Sequence, residues 1–171
     1  MVFGFVYHSQ AQKHYDYNWA FGYGRSVPND TNFFCVVIMS FNDQIIHFLP
    51  QARSFDLEFQ TNSYSNGKGD FLYLSNGCSL RDKFSNNLNG ADTIGFSRAW
   101  KINCPISNNQ VQSGLFLPTD DSTINYIYLV VDTIGLRLKH KYLLSAKIYI
   151  PTDSLIYKDR LIIQDTLYHG L

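Results

Sequence analysis

Two apolar segments of strand length, residues 124–131 and 142–150, constrain this chain more than any other part of its sequence. Both are rich in Ile, Val, Leu and Tyr. Residues 132–141 lie between them and supply the polar residues that separate the two segments. The first segment is apolar on both faces, as in a strand covered on two sides. The second alternates with a period of two, as expected when one strand face is buried. The pair therefore predicts neighbouring antiparallel strands at the middle of a β-sheet. The alternating residues are Tyr142, Leu144, Ala146, Ile148 and Ile150.

The remaining apolar runs are shorter, and most of them also have the character of strands. Turn residues separate the runs, and no stretch holds a sustained 3.6-residue apolar period. Residues 79–84 have the spacing of a capping box, which predicts one helical turn. Strands are predicted at residues 2–7, 15–23, 33–39, 44–49, 55–59, 71–74, 100–104, 114–117 and 160–164.

This pattern predicts the fold class and the domain organisation. A chain of 171 residues is large enough for one hydrophobic core, so we expect a single domain over residues 1–171. Many short strands separated by turns predict an all-β, antiparallel β-sandwich, either jelly-roll or immunoglobulin-like. Its long loops are expected to be rich in Asn, Ser and Gly.

The charge balance argues against several classes of partner. Lysine plus arginine number 14, as do aspartate plus glutamate, and no basic run occurs. Binding to nucleic acid and docking on anionic lipid both depend on positive charge, so neither is expected. No segment approaches the roughly 20 apolar residues that cross a membrane, so membrane insertion is not expected either. With 16% charged residues, the polar surface is built mainly from uncharged side chains. Such a surface is common where sugars or other neutral ligands bind, and also in many secreted proteins that bind no small ligand.

Three cysteines allow one disulfide and one free thiol. Cys35 lies in an apolar run, where a buried thiol behaves as a small hydrophobic residue. Cys78 and Cys104 lie at loop edges, where a bridge forms more easily. The sequence therefore favours a Cys78–Cys104 disulfide over no disulfide at all, and such a bond implies maturation in an oxidising compartment.

Signatures of catalysis and of metal binding are missing from the sequence. There is no GxSxG, HExxH, CxxC, Walker loop or GxGxxG. The histidines fall at no metal-ligand spacing. Asp120 and Asp121 are adjacent, but without a calcium-binding loop around them they indicate a turn. We expect no enzyme activity, no metal and no cofactor; a Ser-His-Asp triad depends on spatial arrangement and is left open.

Aromatic residues occupy every second position between residues 15 and 23. Small or polar residues stand between them, so this is the clearest alternating strand in the chain. We expect the aromatic side to face the core. The alternative is an exposed platform on which sugar rings or bases stack. The aromatic residues are Tyr15, Tyr17, Trp19, Phe21 and Tyr23.

The segment at residues 61–99 concentrates Asn, Ser and Gly, and we expect a ligand site there. Sugar recognition needs planar amide and carboxylate groups, and an aromatic ring that covers the apolar face of the sugar. Loops on a rigid scaffold are the usual place for such groups. In this hypothesis Trp100 stacks on the sugar while Asn89 and Asp92 contact its hydroxyls. Arg98 orients Asp92. The alternative is a set of solvated loops with Trp100 in the core. The candidate ligand-binding residues are Tyr64, Asn66, Asn89, Asp92, Arg98 and Trp100.

The chain has 171 residues, an all-β pattern rich in Asn, Ser and Tyr, and at most one disulfide. In these features of composition and expected architecture, it resembles the receptor-binding (lectin) domains at the tips of bacterial chaperone–usher fimbriae. The segment KYLLSAKIYIPTD, residues 141–153, is similar to the late strand that leads such domains into a following pilin domain. The resemblance implies a secreted adhesin on a cell-surface fimbrium that attaches to host-cell glycans without catalysis. As an isolated domain it is expected to be a monomer.

A structural or interaction subunit, either pilin-like or part of a viral or phage coat, is the alternative function. Such a subunit needs an exposed strand edge or an apolar groove that accepts a partner strand. The terminal strand at residues 160–164 is the candidate edge.

Overall fold

A computed structural model describes residues 15–22, 35–41, 45–53, 56–57, 61–104, 114–134 and 137–164 of the chain. Within these ranges the backbone forms ten strands in three antiparallel sheets, one six-residue α-helix and one short 3-10 helix. This arrangement confirms the predicted all-β, sandwich-like fold. No helix in the same ranges is long and apolar enough to cross a membrane.

Each sheet takes its strands in the order in which they follow along the chain. The first sheet contains β1 (Asn18–Gly22), β2 (Val36–Ser40) and β3 (His47–Gln51). The second sheet contains β4 (Asn62–Ser65), β5 (Phe71–Ser75) and β6 (Leu80–Asp82). The third sheet contains β7 (Gly114–Pro118), β8 (Thr123–Ile134), β9 (Arg137–Tyr149) and β10 (Ser154–Gln164).

The central strands of the third sheet are β8 and β9, as the two apolar segments predict. Their antiparallel register begins with Thr123 opposite Tyr149. Along β9 the side chains of Leu144, Ala146 and Ile148 are buried, as the period of two predicts, but Ser145 on the opposite face is buried as well. Along β8 the alternate residues from position 124 to 130 are buried, and the residues between them are only partly covered. β8 is therefore fully covered on one face, not on both.

The first and second sheets meet edge to edge along β1 and β4. The hydroxyl of Ser63 accepts a hydrogen bond from the backbone N–H of Ala20 at 3.3 Å and donates one to the carbonyl of Asn18 at 2.9 Å. A backbone hydrogen bond from Ser65 to Tyr15, at 3.2 Å, extends this junction, which we call the Ser63 seam. At the seam the hydroxyl of Ser63 takes the place of a backbone hydrogen-bonding partner for β1. The two sheets are therefore joined into one layer, with the strand order β3-β2-β1-β4-β5-β6.

Two clusters of buried apolar side chains lie on opposite faces of this layer. In the larger cluster, Tyr73 of β5 packs with residues of the third sheet such as Tyr126. In the smaller cluster, Leu74 packs with Val36 and Leu57. Tyr73 and Leu74 are consecutive in β5 and so point to opposite sides. Each fully buried Leu or Val contributes about 1.5–3 kcal/mol relative to an exposed position.

The prediction of a strand at residues 100–104 is wrong. These residues belong to or directly follow helix α1 (Arg98–Asn103). The helix begins after Ser97, whose hydroxyl accepts a hydrogen bond from the backbone N–H of Trp100 at 3.0 Å. Periodicity does not distinguish a strand from a helix in so short an apolar run. The serine cap therefore decides the outcome, because it satisfies a backbone donor that a helix start leaves unpaired.

The prediction of a helical turn at residues 79–84 is also wrong. Half of this segment forms β6, which pairs with β5 through Leu80 opposite Ser75. The carboxylate of Asp82 then accepts hydrogen bonds from the backbone N–H groups of Phe84 and Asn86, at 2.9 and 2.8 Å. A carboxylate that accepts from backbone groups further along the chain stabilises a turn as readily as a helix start. Pairing with β5 selects the turn.

The predicted disulfide between Cys78 and Cys104 is present, and it ties the loop after β5 to the C-terminal cap of α1. Their Cα atoms are 5.5 Å apart across a sequence separation of 26 residues. Trp100 adds a second link, because its indole N–H donates to the carbonyl of Cys78 at 3.2 Å. Cys35 is a buried free thiol, as predicted. The disulfide indicates maturation in an oxidising compartment.

Candidate functional site

The aromatic side of β1 faces outward, so the expectation that it points into the core is wrong for this strand. Trp19 is 52% exposed and Phe21 is 37% exposed. Asn18 and Ala20, which alternate with them, are buried. The two tyrosines of the aromatic series that precede β1 are partly covered, and Tyr23 lies outside the described residues.

The inward side of β1 is held against the second sheet by a buried amide. The side-chain N–H groups of Asn18 donate to the hydroxyl of Ser65 at 2.9 Å and to the carbonyl of Gly69 at 2.7 Å. The next inward residue, Ala20, packs into the smaller core cluster. Because successive side chains of a strand point to opposite faces, these inward residues place Trp19 outside.

The outward side of β1 continues across the first sheet as one apolar surface. Trp19 lies opposite Met39 of β2, and Met39 lies opposite Phe48 of β3. Residues directly opposite each other share one face of a sheet. Phe48 is 60% exposed, and Trp19 also meets Phe41 edge to face, with 5.4 Å between ring centroids. We call the surface of Trp19, Phe21, Met39 and Phe48 the aromatic face.

A groove of about 420 Å³ borders the aromatic face where β1, β4 and β7 meet. Trp19 and Phe21 line it from β1, and Leu115 and Phe116 line it from β7. Aromatic surface beside hydrogen-bonding groups suits a ligand that has both an apolar face and hydroxyls. The polar residues of the lining are Asp16, Asn18, Thr61, Asn62 and Ser63.

Part of this polar lining is already engaged within the protein. Ser63 uses its hydroxyl at the seam, and the side-chain N–H of Asn62 donates to the hydroxyl of Tyr126 at 3.3 Å. The amide of Asn62 still has its carbonyl oxygen, and Asp16 is an exposed carboxylate. Both groups accept hydrogen bonds, and a sugar hydroxyl is a donor.

Tyr126 supports the groove from below. It is fully buried, its ring packs on Phe116 with 4.5 Å between centroids, and its hydroxyl donates to Ser75 at 3.1 Å. Burial raises the pKa of Tyr126 well above its ordinary value, and the hydrogen bonds with Ser75 and Asn62 oppose this only in part. The phenol is therefore neutral over the physiological pH range and remains a partner for Asn62.

Two of the candidate residues predicted from the sequence, Tyr64 and Asn66, lie on or beside β4. The prediction that Tyr64 lies in a loop is wrong, because it is a residue of β4 and only 3% exposed. Its ring stacks with that of Tyr73 at a centroid distance of 6.3 Å. Asn66 lies in the turn after β4, where its side chain donates to the carboxylate of Asp70 at 2.8 Å and accepts from the backbone N–H of the same residue at 3.0 Å. These bonds give Asn66 a structural role in closing the turn.

Asn89 and Asp92 lie on the segment between β6 and α1, and both are exposed. The backbone of Asn89 is attached to the turn between β9 and β10. It donates to the carbonyl of Asp153 at 3.0 Å and accepts from the N–H of Leu155 at 3.1 Å. Both side chains are therefore accessible to a ligand from a segment that is held in place by its backbone.

Arg98 and Trp100 lie on α1. Arg98 is exposed, whereas Trp100 is partly covered, with its ring packed on Phe96 at a centroid distance of 5.3 Å. The indole N–H of Trp100 is engaged with the carbonyl of Cys78. The orientation of Asp92 by Arg98 stays a prediction.

A second cavity, of about 430 Å³, lies beside the N-terminal end of α1. Its lining is mainly apolar and includes Phe96 and Leu161. The carboxylate in its lining, Asp159, accepts hydrogen bonds from the backbone N–H of Gly95 at 2.9 Å and from the hydroxyl of Tyr128 at 2.6 Å. This cavity therefore offers a sugar fewer accessible polar groups than the groove beside the aromatic face.

Sequence reasoning missed the groove because an alternating strand fits either orientation. The feature of the sequence that favours the observed orientation is the small size of the residues that alternate with the aromatic ones. At Gly22, a Cβ atom would lie 2.3 Å from the carbonyl oxygen of Cys35, so only glycine allows this approach. Small residues on one side of a strand indicate close contact with other backbone, and that side is the inner one.

The described residues contain no group of three or more His, Cys, Asp or Glu side chains that is placed to hold a metal ion. Asp120 forms a turn between β7 and β8, as predicted. Its carboxylate accepts from the hydroxyl of Thr123 at 2.7 Å and from the backbone N–H of Ser122 at 2.8 Å. The hydrogen bond from the Thr123 hydroxyl is the main reason that the pKa of Asp120 lies below its usual value.

No protein-family model, no curated protein and no solved structure matches the chain. The geometry of the groove and of the aromatic face is therefore the basis on which a function is assigned.

Proposed function

We propose that this protein is a carbohydrate-binding adhesin domain, and that it binds a host-cell glycan on the aromatic face and in the adjoining groove. The observation that carries the proposal is the exposure of Trp19 and Phe21 on a strand whose inward residues are held by buried hydrogen bonds. A contiguous exposed apolar patch usually marks a binding site. Sugar rings present apolar C–H groups to such a surface and hydroxyls to the polar groups around it.

The groove favours a neutral sugar over an acidic one. Among the residues that the structure describes in its lining, Asp16 is the charged one, and its carboxylate would repel a sialic or uronic acid. Trp19 and Phe21 are two positions apart on β1, which separates their Cα atoms by about 7 Å. This spacing provides a platform for more than one ring of an oligosaccharide.

A glycan array tests the proposal directly, with the intact protein and with Trp19→Ala and Phe21→Ala. We expect the wild-type protein to bind a restricted set of neutral glycans and both variants to lose that binding. Phe84→Ala is the matched control, because Phe84 is 73% exposed but does not line the groove. Circular dichroism establishes that each variant is folded. The proposal is wrong if the wild-type protein binds no glycan, or if both groove variants bind as it does.

The loop residues predicted from the sequence define a competing location for the same function. Asp92→Ala, Asn89→Ala and Asn66→Ala are expected to bind glycan normally if the groove is the site. Loss of binding in Asp92→Ala, together with normal binding in Trp19→Ala, would place the site in the loops instead. Asp92 is exposed, so its replacement should leave the melting temperature within a few degrees of the wild type.

An adhesin of the fimbrial kind acts outside the cell and leads into a pilin domain. The disulfide supports an extracellular location, since such bonds form and persist in oxidising compartments. We place this domain at the tip of a cell-surface fimbrium, where it acts as a monomeric receptor-binding unit without enzyme activity.

A structural or interaction subunit is the second candidate function, and a different observation favours it. β10 lies at the edge of the third sheet. Leu161, Ile162 and Ile163 are consecutive in this strand and all are exposed, so both strand faces carry apolar side chains there. An edge with apolar side chains accepts a partner strand by backbone hydrogen bonding.

Size-exclusion chromatography with light scattering separates the two candidates. A glycan-binding domain is expected to remain a monomer at every concentration, whereas a subunit that pairs through β10 is expected to associate. Ile162→Lys should abolish any such association, because a lysine on an edge strand opposes pairing. The structural subunit is favoured if the wild-type protein associates, Ile162→Lys does not, and the glycan array shows no binding.

A further inference from the structure

A third cavity, of about 530 Å³, lies between the end of β3 and the turn that follows β6. Its lining includes Arg53, Lys83 and Ser85, with Phe71 at the start of β5. Arg53 is only 5% exposed, although it carries a permanent positive charge. A buried cation is unusual unless a negative charge accompanies it.

The hydrogen bonds of the Arg53 guanidinium go to uncharged acceptors. Nη1 donates to the carbonyl of Lys83 and, at 3.0 Å, to the hydroxyl of Ser85. Nη2 donates to the side-chain carbonyl of Gln51. Nε is buried and has no hydrogen-bond partner in the described part of the chain. The guanidinium also lies 5.8 Å from the ring centre of Phe71, a contact that favours a cation without neutralising it.

Asp82 is the carboxylate whose charge acts on Arg53, but its oxygens accept hydrogen bonds from other groups. They accept hydrogen bonds from the backbone N–H groups of Phe84 and Asn86 and from the side-chain amide of Asn86. Burial lowers the pKa of Arg53, and the charge of Asp82 offsets this effect only in part. The cavity therefore contains a positive charge for which these contacts supply no paired anion.

We propose that this cavity binds an anionic oxygen-bearing group, namely a carboxylate, sulfate or phosphate, as the counter-charge of Arg53. Lys83 is exposed and lines the same cavity, so its ammonium group contacts the anion directly at the rim. Arg53 is nearly covered and attracts the anion mainly through its charge, which water screens less in a buried setting. This site is separate from the aromatic face and does not depend on the glycan proposal.

Isothermal titration calorimetry tests this inference with sodium phosphate, sodium sulfate and sodium acetate, titrated into the intact protein at constant ionic strength set by chloride. We expect saturable binding of at least one anion by the wild-type protein, and the three arms distinguish a carboxylate from a tetrahedral oxyanion. Lys83→Gln is expected to weaken binding about tenfold, because it removes a charge-assisted hydrogen bond. Lys68→Gln, which changes an exposed lysine in the turn after β4, should bind as the wild type does.

Absence of saturable binding with all three anions would overturn the inference, and so would equal affinity of the wild type and Lys83→Gln. Arg53→Met keeps an unbranched apolar side chain without the charge and is expected to abolish binding. If circular dichroism shows that Arg53→Met does not fold, the Lys83→Gln result decides the matter. Trp19→Ala should retain anion binding, which separates this site from the groove.

Discussion

Asn18 and Ser65, 47 residues apart in the sequence, are joined by a buried side-chain hydrogen bond of 2.9 Å. The same amide of Asn18 also donates to the carbonyl of Gly69. These bonds hold β1 against the β4–β5 hairpin, and they determine that Trp19 faces outward. The candidate glycan site therefore depends on a polar residue that lies beneath it.

Asn18→Ala is expected to lower the free energy of unfolding by about 2–4 kcal/mol, because it leaves the Ser65 hydroxyl and the Gly69 carbonyl buried without this donor. Thermal or urea unfolding measures the loss. Asn87→Ala, at an exposed position, is the control and should change the stability by less than about 0.5 kcal/mol. Equal stability of Asn18→Ala and the wild type would contradict the role assigned to this amide.

Gly114 faces the phenol of Tyr126, and the pair offers a double-mutant test of packing under the groove. A Cβ atom at position 114 would lie 2.1 Å from the Tyr126 hydroxyl oxygen and 2.6 Å from the ring carbon that carries it. We expect Gly114→Ala to cost about 1–3 kcal/mol through overpacking. Tyr126→Phe should cost about 1–2 kcal/mol through its lost hydrogen bonds.

The Gly114→Ala, Tyr126→Phe double variant should be more stable than the sum of the two single costs predicts, since the phenylalanine removes the closest atom. Recovery should be partial, because the ring carbon remains in the way. Urea unfolding of all four proteins gives the coupling energy. Strict additivity would mean that this contact is relieved by a backbone shift.

Reduction of the Cys78–Cys104 bond is expected to lower the melting temperature by roughly 10 °C. The bond closes a loop with a sequence separation of 26 residues, for which loss of chain entropy predicts about 3–4 kcal/mol. Calorimetry with and without reductant measures the effect. The Cys78→Ala, Cys104→Ala double variant is the control, because reductant should leave its melting temperature unchanged. Thiol titration of the unfolded, unreduced wild type should detect Cys35 as the reactive group.

The pKa of Asp120 is expected to rise in Thr123→Val, because the Thr123 hydroxyl is the main group that lowers it. Carboxyl-carbon NMR titration measures this pKa, with Thr119→Val as a control that should leave it unchanged. The folded pKa is lower than that of the unfolded chain, about 3.9. The stabilising contribution of Asp120 is therefore complete above that pH and is lost as the pH falls through the folded pKa. An unchanged pKa in Thr123→Val would contradict the assignment.

The parts of the fold that could be predicted from the sequence are those with strong local periodicity. Alternation along residues 142–150 identifies the buried face of β9, and the adjoining segment identifies β8 as its neighbour. The loop positions of Cys78 and Cys104 indicated their disulfide. The strand predicted at residues 100–104 failed because six residues are too few to show a helical period, and the cap at Ser97 decided the outcome.

The candidate site was harder to predict, because its geometry depends on residues far apart in the chain. Which side of β1 is buried follows from the bonds of Asn18 to partners 47 and 51 residues away. Local alternation is the same for both orientations. Tyr64 stands in an Asn- and Ser-rich segment but belongs to β4, since pairing with β5 overrides the loop-like composition.

The Ser63 seam determines where the native structure is expected to open locally. Elsewhere in the layer neighbouring strands are joined by backbone ladders, but at the seam a hydroxyl carries two of the hydrogen bonds between β1 and β4. Local opening follows the boundary with the fewest such bonds. The first sheet is therefore the unit expected to detach before the rest unfolds, and its amide protons should exchange with solvent ahead of those in β8 and β9. The aromatic face belongs to that unit. A ligand that contacts both the aromatic face and the groove lining on β4 and β7 would therefore stabilise the seam and slow amide-proton exchange in the first sheet.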